Sequence, residues 1–392
     1  MKVLVVAPTP FFSDRGTHIR ILEEALALEK RGIEVTIATY HIGQDLPRSL
    51  DSHIDVRRIR RLLFWYKKLE AGPDWQKIIL DLMLVRKTFH LARTWKPDII
   101  HGHLHEGVLI GFIVKQALFW RNIRLVADFH GSLTKEMVSH SYLHATLMQR
   151  FFGMIEHRID GLGDRTVASS WDNVERINMI PREQKAHILL DGTRLSMFEN
   201  LPSVIILRDT FHIPKEKIVI TYTGALIANK GITLLLEAIP LVCAQSSEVH
   251  FVIAGFPVDQ IAVYLKRDIF KKHVTIISPL PYFTLPKVLH MSDIGVDPKE
   301  SNTRQASGKM LQYMGAGLPV VCFDTENNRK YLDDGGIYAD DTTPESLARA
   351  IMTLVASREL REAKGAINRK RAGLFSWEAS AEQLEKLYRE II

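Results

Sequence analysis

The sequence has few of the features that mark secreted, membrane-spanning or fibrous proteins. Only Cys243 and Cys322 occur in 392 residues, each within an apolar segment, so a disulfide framework is excluded and a reducing cytoplasm is expected. No run of about 18 apolar residues is present, which argues against a membrane-spanning helix. Solenoid-length repeats and low-complexity segments are also absent. We interpret the start, MKVLVVAPTP, as a buried first strand rather than a secretion signal.

A strong excess of one charge is lacking as well. The chain has 51 Lys and Arg against 45 Asp and Glu, a net charge of +6, and a pI of about 9.1. Apart from one run over 57–68 the basic residues are scattered, and no nucleic-acid-reading module is present, so nucleic acid is not an expected partner. The mild excess suits phosphate-bearing ligands or an anionic membrane surface. A hydrophobic share of 46% predicts a globular chain of two ordinary domains.

Short apolar runs alternate with helical patterns along the chain. Residues 2–8 and 34–39 are predicted strands, and residues 17–30 between them have the apolar spacing of a helix. Continuous apolar strands between helices are typical of a parallel sheet covered on both faces. The pattern restarts at residue 217, after a polar, proline-containing stretch over 191–215. The sequence therefore predicts an α/β protein with two doubly wound domains in tandem.

The stretch ASGKMLQYMGAGLPVV, residues 306–321, predicts a helix that begins beside a lysine and leads into a buried strand. In open parallel sheets, ligands bind at the carboxyl ends of the strands, where helix N-termini offer free N–H groups. Ser307 and Gly308 let the backbone approach an anion closely, and Lys309 adds a full positive charge. One interpretation is a diphosphate clamp. The other is an N-capping serine followed by a solvated lysine.

Two further loops bring charge to predicted strand ends. The segment YTGALIANKG, residues 222–231, follows a strand, and its Lys230 opens the next helix. In the first domain, the loop FSDRGTH over 12–18 joins the first strand to the first helix, and Gly16 permits close approach to a ligand. The polar members of that loop include Arg15, Thr17 and His18. It has no GxGxxG pattern, which argues against a nicotinamide or flavin cofactor.

Together these segments resemble the retaining nucleotide-sugar glycosyltransferases of family four, whose B-type fold has two Rossmann-like domains facing across a cleft. The matching segments are Gly224 with Lys230-Gly231, residues 307–321, Asp191-Gly192-Thr193 with Phe198, and Phe375-Ser376-Trp377-Glu378. The resemblance implies an acceptor-side domain over 1–190 and a nucleotide-sugar-binding domain over 191–375. It also implies that the last helix, 376–392, packs back on the first domain. It implies no cofactor and no metal, with the nucleotide-sugar as co-substrate.

The resemblance also assigns roles to residues. Lys230 and Lys309 would stabilise the departing diphosphate, and His130 would lie near the donor sugar and its phosphate. The other donor-binding candidates are Gly16, Thr17, Gly224, Leu280, Ser307, Gly308 and Gln312. The acceptor-side candidates are Arg15, His103, Glu106 and Glu136. For the two glutamates, the alternative is that each simply starts a helix.

The sequence departs from the family pattern at one pair of positions. Many members carry two glutamates eight residues apart where this chain has Arg304 and Gln312. Gln312 retains the ability to hydrogen-bond a ribose diol, without the charge. Arg304 is no substitute for a carboxylate acceptor, and Glu300 in the same loop is the candidate replacement. Some branches of the family lack the first glutamate, so the departure does not by itself imply an inactive enzyme.

Three histidines alternate at the end of a predicted strand. In an extended segment, His101, His103 and His105 would all project to the same side. A zinc site is one interpretation of this spacing. The intervening residues include no cysteine and the run ends a buried strand, so we predict acceptor lining and no metal.

The run RRIRRLLFWYKK over 57–68 combines six cations with apolar and aromatic residues. One interpretation is an interfacial element whose cations bind anionic headgroups while its apolar residues enter the bilayer. The residues expected to enter are Leu62, Leu63, Phe64 and Trp65. The other interpretation is a strand end and a helix whose apolar side joins the core. The first interpretation places the protein in the cytoplasm, peripheral on the inner face of the cell membrane.

The sequence supports one leading function and two alternatives. We predict a metal-independent, retaining hexosyltransferase that moves a sugar from a nucleoside-diphosphate sugar to a glycan or lipid-linked acceptor in surface polysaccharide or glycolipid synthesis. One alternative is a sugar-nucleotide epimerase of the same fold, although the chain is poor in the acid/base carboxylates this needs. The other is a non-catalytic nucleotide-sugar-binding subunit, which the missing glutamate pair favours. Donor base, sugar, linkage and oligomeric state are not encoded in these patterns.

Overall fold

The computed structural model describes residues 1–47, 50–69, 74–139, 145–179, 185–299 and 307–392. The chain divides into two compact units. Unit 1 contains Met1–Asp191 together with Trp377–Ile392, and unit 2 contains Gly192–Ser376. The sequence predicts the two divisions after residues 190 and 375, one residue before each division in the structure.

Unit 1 is built on parallel strands separated by helices. Its strands are β1 Lys2–Ala7, β2 Glu34–Thr39, β3 Asp55–Arg58, β4 Ile99–His103, β5 Arg124–Phe129, β6 Arg165–Ala168 and β7 His187–Ile188. Its helices before residue 191 are α1 Gly16–Lys30, α2 Trp75–Trp95, α3 Leu104–Ala117, α4 Leu133–Ser139, α5 Thr146–Ile159 and α6 Trp171–Asn178. Asp74 caps α2 by accepting a hydrogen bond from the Gln76 amide at 3.0 Å.

The sheet of unit 1 has the order β3-β2-β1-β4-β5-β6-β7, with every described pair parallel. Its strands read as near-continuous apolar runs because helices cover both faces. After β1 the chain adds strands on one side of the sheet, and from β4 onward it adds them on the other side, so the connections after these two neighbouring strands run to opposite faces of the sheet. Open α/β sheets bind ligands in the crevice at such a switch point. In unit 1 this crevice lies at the carboxyl ends of β1 and β4.

Unit 2 repeats this architecture. Its strands are β8 Ile218–Thr223, β9 Val249–Ala254, β10 Val274–Ile277, β11 Ile294–Asp297, β12 Val320–Phe323 and β13 Gly336–Ala339. Its helices are α7 Val204–Thr210, α8 Ile232–Gln245, α9 Ala262–Leu265, α10 Asp268–His273, α11 Leu285–His290, α12 Gly308–Gly315, α13 Glu326–Leu332, α14 Pro344–Ala356 and α15 Arg358–Ala372. The sheet order is β10-β9-β8-β11-β12-β13, again parallel, with the switch point between β8 and β11.

A last helix, α16 Trp377–Arg389, belongs to unit 1 and packs on α1. Its buried side includes Trp377, Leu384 and Tyr388. The Tyr388 hydroxyl lies 2.6 Å from Nδ1 of His101, deep under the sheet. The C-terminal helix therefore completes the core of the first unit.

The predicted fold class, two doubly wound α/β units, is confirmed. The last helix, expected over 376–392, begins at Trp377 and ends at Arg389. Helix α2, one of the longest described, lies in a stretch for which the sequence analysis assigned no helix. Among the described residues, no helix is both long enough and apolar enough to span a bilayer.

The core of unit 2 yields a stability prediction. Ile239 on α8 is fully buried against the sheet, whereas Ile205 on α7 is 61% exposed. Ile239→Ala should lower the free energy of unfolding by about 2–5 kcal/mol, because it removes buried methyl groups and leaves a cavity. Ile205→Ala should change it by less than about 0.5 kcal/mol. Urea titrations followed by circular dichroism compare the two, and equal losses would contradict the described packing.

Candidate active site

Glycines follow strands β8 and β9 next to a lysine of α12. Gly224 follows β8 with φ +125°, a backbone conformation that L side chains rarely adopt. A Cβ atom added there would lie 3.6 Å from Cε and 3.9 Å from Nζ of Lys309. Gly255, after β9, packs so tightly that a Cβ would lie 1.7 Å from the Gly224 carbonyl oxygen. Glycine at position 255 therefore lets the ends of β8 and β9 approach each other closely, next to Lys309.

Lys309 is held by a carboxylate and an aromatic ring. Its Nζ lies 3.2 Å from Oδ1 of Asp297, at the end of β11, and 4.2 Å from the ring centroid of Tyr222. The side chain is 10% exposed. Burial alone would lower the pKa of Lys309, but the Asp297 carboxylate outweighs it and the pKa is raised. Lys309 is therefore a fixed, permanently charged cation.

The charge of Lys309 also affects the pKa values of two other lysines, Lys230 and Lys299. Burial, followed by repulsion from Lys309, lowers the pKa of Lys230, which ends the 3-10 turn Ala228–Lys230. Burial, followed by repulsion from Lys230, lowers the pKa of Lys299. Asp297 partly offsets the shift in both lysines. Lys230, Lys299 and Lys309 therefore repel one another and share the attraction of one carboxylate, Asp297, and the local excess of positive charge favours an incoming anion.

Gly231 allows the loop that carries Lys230 to pack closely against the loop that carries Lys299. It begins α8 with φ +76°, and a Cβ there would lie 1.8 Å from the Pro298 carbonyl oxygen and 3.0 Å from the Lys299 amide nitrogen. A larger residue would push the β11 loop away from the loop that carries Lys230. The Lys230-Gly231 pair seen in the sequence therefore has a steric reason as well as an electrostatic one.

The start of α12 is open. A Cβ added at Gly308 would meet nothing within 4 Å among the described residues. Ser307 occupies the N-cap position, but its side chain makes no capping hydrogen bond. The alternative interpretation is a capping serine followed by a solvated lysine. It is wrong because the Ser307 side chain makes no capping hydrogen bond and because the Lys309 side chain is buried. Arg304 and Glu300 lie outside the described residues.

The other donor-binding candidates of unit 2 are more enclosed. Gln312 is buried, and its Oε1 accepts a hydrogen bond from the Thr193 hydroxyl at 3.1 Å. Gly315, one turn later, packs against Thr193 and Phe198, so α12 lies on the segment that enters unit 2. Leu280 is half-buried beside a small apolar cluster that includes Val252. The polar head of Gln312 is therefore already engaged within the protein.

In unit 1, side-chain hydrogen bonds fix the loop after β1, and its last residue before Thr17, Gly16, is exposed to solvent. The Thr39 hydroxyl donates to the Thr9 carbonyl at 2.8 Å, and the Ser13 hydroxyl and Nδ1 of His18 lie 2.5 Å apart. Gly16 is exposed at the start of α1, and a Cβ there would meet nothing within 4 Å among the described residues. Arg15 and Thr17 flank it, both half-buried. The first turn of α1 thus presents free backbone to solvent.

His130 lies just after β5 and is 8% exposed. Its Nε2 shares a hydrogen bond with Nδ1 of His103 across 3.0 Å. Burial lowers the pKa of His130 well below its ordinary value, against the opposing pull of Asp128, and burial lowers that of His103 to about 4. Both rings are therefore neutral at physiological pH. His103 is too enclosed to line an acceptor surface and instead supports His130.

Beneath His130 lies a buried polar network. Arg20 of α1 donates to both oxygens of Asp128, at 3.0–3.2 Å, and to Asp191 at 2.7 Å. Its Nη2 also lies 3.7 Å from Glu24. The stacked rings of His101 and His103 contact the same Asp128 carboxylate at 3.7 and 3.3 Å. The network joins α1, β4 and β5.

This network has the donor types of a metal site but already contains its cation. Donor atoms of Glu24, His101, His103 and Asp128 lie within 4.8 Å of one another. Arg20 contacts both carboxylates, and its guanidinium supplies the charge that a metal would bring. We therefore keep the prediction that the site needs no metal.

The predicted side-by-side arrangement of three histidines is wrong. Strand β4 ends at His103, and His105 belongs to α3, where Nε2 lies 3.7 Å from Glu156 and 3.6 Å from Asp160. Helix α3 begins at Leu104, so the extended conformation ends before His105 and the His105 side chain points away from His101 and His103. Glu106 lies in the first turn of α3 and pairs with Lys77 at 3.8 Å. The side chain of Glu136, on α4, lies outside the described residues.

The cationic run over 57–68 is partly a core element. Arg57 and Arg58 end β3, and Leu63 and Tyr66 are buried in the main apolar cluster of unit 1. The expectation that Leu63 enters a bilayer is therefore wrong. Leu62, Phe64 and Trp65 remain exposed, and the Trp65 indole donates to Gln76 on α2 at 2.9 Å.

Three residues of these sites are not among those predicted from the sequence. Asp297 and Lys299 follow a short apolar strand and precede Glu300, and the run reads as an ordinary charged loop. Arg20 lies within a helix on the spacing of a solvent-facing position. A signal for Asp297 was available, since a carboxylate at the end of a buried strand sits at the ligand-binding edge of a parallel sheet.

Two family models match the chain, one in each unit. The model described as Glycosyltransferase Family 4 matches residues 15–188. The model described as Glycosyl transferases group 1 matches residues 217–357. The first includes His103 and His130, and the second includes Lys230, Asp297 and Lys309.

A curated relative matches over most of its length. The D-inositol 3-phosphate glycosyltransferase of Segniliparus rotundus is 24% identical over 399 residues, which cover 95% of this chain and 84% of the relative.

Solved structures share the fold. Sucrose-phosphate synthase from Thermosynechococcus elongatus superposes with a TM-score of 0.77 at 17% identity, covering 100% of this chain and 98% of that one. Anabaena HepE in complex with UDP gives a TM-score of 0.74 at 16% identity, covering 100% of both chains. These are B-type glycosyltransferase structures, and the likeness extends the fold assignment to the whole chain.

The buried network predicts a pH dependence of stability. Burial, then the Asp128 charge, raises the pKa of Glu24 from 4.5 to about 7. A carboxyl group whose pKa is raised on folding stabilises the fold below pH 4.5, and this contribution is lost as the pH rises through 7. The loss amounts to about 3 kcal/mol. Glu24→Gln should remove it, so the variant should gain stability relative to the parent between pH 4.5 and pH 8.

Urea titrations at several pH values measure that difference directly. The histidines of the network are common to both proteins, so their titration cancels to first order. A constant difference across this pH range would show that Glu24 is ionised throughout and that Arg20 compensates it fully.

Proposed function

Since the chain belongs to the family 4 and group 1 glycosyltransferases and is a glycosyltransferase, we propose that it is a retaining enzyme that uses a nucleoside-diphosphate sugar. The sugar is transferred to a hydroxyl group of a glycan or lipid-linked acceptor. The observation that carries the donor assignment is the group of three lysines around Asp297. A diphosphate supplies the negative charge that this group lacks.

The donor diphosphate binds, in this proposal, at the carboxyl ends of β8 and β11. Lys230, Lys299 and Lys309 supply the charge, and the open backbone at Ser307 and Gly308 supplies N–H donors. Such preorganised cations stabilise the diphosphate most when its bond to the sugar breaks, because its charge increases at that moment. Gly224 keeps the approach to Lys309 clear. Gly16 and Thr17 are the candidate backbone donors in unit 1, and Leu280 is the candidate base contact.

Gln312 has a different role in the proposal from that of a family glutamate. Its amide oxygen is engaged with Thr193, and its NH2 group can only donate. It therefore fixes α12 against the entry segment of unit 2 and presents at most a donor to the ribose. Ribose recognition is then weaker than in relatives with the glutamate.

His130 is the candidate residue nearest the transferred sugar. Its ring is neutral and fixed by His103, so it can donate or accept one hydrogen bond to a sugar hydroxyl or to the diphosphate without adding charge. Arg15 and Glu106 are retained as acceptor-side candidates, and Glu136 with them. His103 becomes a residue that positions His130.

The acceptor is proposed by class. The relative named above takes D-inositol 3-phosphate by its name, which makes a phosphorylated polyol a second candidate beside a glycan or glycolipid. The exposed apolar residues of the 57–68 run favour a lipid-linked acceptor at an anionic membrane surface, with the enzyme peripheral on its cytoplasmic side. A screen of these acceptors with the donor that binds distinguishes them, and the anomeric configuration of the product tests retention.

The lysine group predicts which changes weaken donor binding. Lys230→Met and Lys299→Met should each reduce affinity for the nucleoside diphosphate about ten- to a hundredfold, because each removes a charge-assisted contact. Calorimetry with UDP, ADP and GDP identifies the base and then measures each variant. Methionine keeps the apolar stem, so packing changes little.

Lys271→Met is the matched control, since Lys271 is an exposed lysine of the same unit that pairs with Asp268. It should bind as the parent does. Unchanged affinity for the nucleoside diphosphate in both lysine variants would contradict the assignment of these lysines to diphosphate binding. A loss of affinity in Lys271→Met would instead indicate a general effect of net charge.

His130 should affect turnover more than binding. His130→Ala should lower kcat by about a hundredfold or more while leaving the affinity for the nucleoside diphosphate within a few fold. His187→Ala removes an exposed histidine of the same unit and serves as the control. A His130 variant with parental kcat would remove this residue from the catalytic assignment.

A further inference from the structure

The hydroxyl group of Tyr388 is buried between the C-terminal helix and the first sheet. Tyr388 lies on α16 and is fully buried, and its hydroxyl oxygen lies 2.6 Å from Nδ1 of His101 on β4. Among the described residues, this ring nitrogen is the one hydrogen-bond partner of the hydroxyl. Burial, followed by the charges of Glu24 and Asp128, raises the pKa of Tyr388 well above its ordinary value. The hydroxyl therefore keeps its proton at physiological pH.

The proton of this hydrogen bond has one favourable position. If Nδ1 of His101 donated to the phenol oxygen, the buried phenol proton would have no acceptor, and an unsatisfied buried donor is costly. The phenol therefore donates to Nδ1. A His101 ring that accepts at Nδ1 carries its own proton on Nε2, because the hydrogen bond at one ring nitrogen sets the protonation of the other. Tyr388 thus selects one tautomer of His101.

Nε2 of His101 faces a carboxylate that the neighbouring histidines share. It lies 3.7 Å from Oδ2 of Asp128, and the same oxygen lies 3.3 Å from Nδ1 of His103 and 3.7 Å from Nε2 of His130. At these distances a protonated nitrogen attracts the carboxylate, whereas a bare nitrogen lone pair repels it. His103 also stacks on His101, with ring centroids 4.4 Å apart, and shares the 3.0 Å hydrogen bond with His130. The tautomer of His101 therefore affects Asp128 and both other rings.

We propose that Tyr388 is a positioning residue for His130 and acts through His101 and Asp128. The inference rests on the proposed role of His130 near the transferred sugar. The C-terminal helix then does more than fill the core of unit 1, because one of its hydroxyl groups fixes the proton arrangement beneath that residue. A positioning residue of this kind touches no substrate, so its loss should impair turnover and leave binding of the nucleoside diphosphate unchanged.

Glu24 can replace the phenol as a donor, but only when it is protonated. Its Oε1 lies 3.5 Å from Nδ1 of His101, and burial raises the pKa of Glu24 to about 7. An ionised Glu24 can only accept, so it favours a proton on Nδ1, which is the opposite tautomer. Without the phenol, the tautomer of His101 should therefore depend on pH. The charged and titratable groups that face Glu24 are Arg20, His101, Asp128, Asp191 and Tyr388.

Tyr388→Phe tests the proposal because it removes the hydroxyl and keeps the ring. Its kcat should be about tenfold or more below that of the parent at about pH 8.5, and within about threefold of it at about pH 5.5, where protonated Glu24 donates in place of the phenol. Its affinity for the nucleoside diphosphate, measured by calorimetry, should stay within about twofold of the parental value at each pH. Turnover is measured as hydrolysis of UDP-, ADP- or GDP-glucose, whichever carries the nucleotide that binds.

Two further variants separate positioning from packing. Tyr388→Phe combined with Glu24→Gln should regain the kcat of Glu24→Gln alone in alkaline buffer, because the glutamine amide is a donor at every pH. Tyr40→Phe is the matched control, since Tyr40 is a buried tyrosine of unit 1 whose hydroxyl donates to Asp81 at 2.5 Å. This control should keep the parental pH profile of kcat. Circular dichroism verifies that each variant is folded.

Two outcomes would overturn the proposal. One is a loss of kcat in Tyr388→Phe that is the same at every pH or is not recovered by Glu24→Gln, since lost packing would then explain it. The other is parental kcat in Tyr388→Phe under conditions in which His130→Ala is defective.

Urea titrations in alkaline buffer separate this inference from the proposed function. Glu24→Gln should raise the urea midpoint more in Tyr388→Phe than in the parent, because only there does the amide supply a missing donor. Parental kcat in His130→Ala would remove the proposed role of His130, and the positioning role with it, while a larger midpoint shift would keep the tautomer assignment. Equal midpoint shifts in the two backgrounds would remove the tautomer assignment itself.

Discussion

The ion pair between Lys309 and Asp297 is the interaction on which the candidate donor site depends. It fixes a charged lysine in a nearly closed space beside Gly224, whose φ of +125° favours glycine at that position. One carboxylate does not balance three cations, and burial together with repulsion between the lysines lowers the pKa values of Lys230 and Lys299. A site with this excess of positive charge binds an anion more favourably than a neutral loop would.

The buried network of unit 1 is organised in the opposite way. Arg20 meets Asp128, Asp191 and Glu24, and the adjacent imidazole rings of His103 and His130 are neutral, so positive charge is scarce relative to carboxylates. Such a network stabilises one arrangement of side chains and leaves little net attraction for an anion. It holds His130 in a defined orientation under the surface. The candidate site of unit 1 therefore has more carboxylates than cations, whereas the candidate site of unit 2 has more cations than carboxylates.

Much of this arrangement could be predicted from the sequence because it follows from local rules. Alternating apolar runs and helical patterns predict the two doubly wound units. Lys230, after β8, and Lys309, in the first turn of α12, could be predicted because strand ends and helix starts meet at one edge of the sheet. Asp297 and Lys299 were missed because their importance arises only when β11 lies beside β8. His105 was misplaced because the start of α3 is decided by tertiary packing, and Leu63 because an aromatic run can divide between core and surface. Helices α2 and α5 expose their apolar residues, which a pattern read as core cannot reveal.

The most direct test of the excess-charge account is the proton linkage of diphosphate binding. Lysines whose pKa values are lowered by burial and by mutual repulsion should take up protons in alkaline solution when a bound anion raises those pKa values again. Calorimetry of the nucleoside diphosphate in alkaline buffers of different ionisation enthalpy measures the protons taken up per binding event. The account predicts net proton uptake that grows with pH and disappears when Lys230 and Lys299 are both replaced by methionine. Binding without proton uptake in the parent protein, or with proton release, would contradict it.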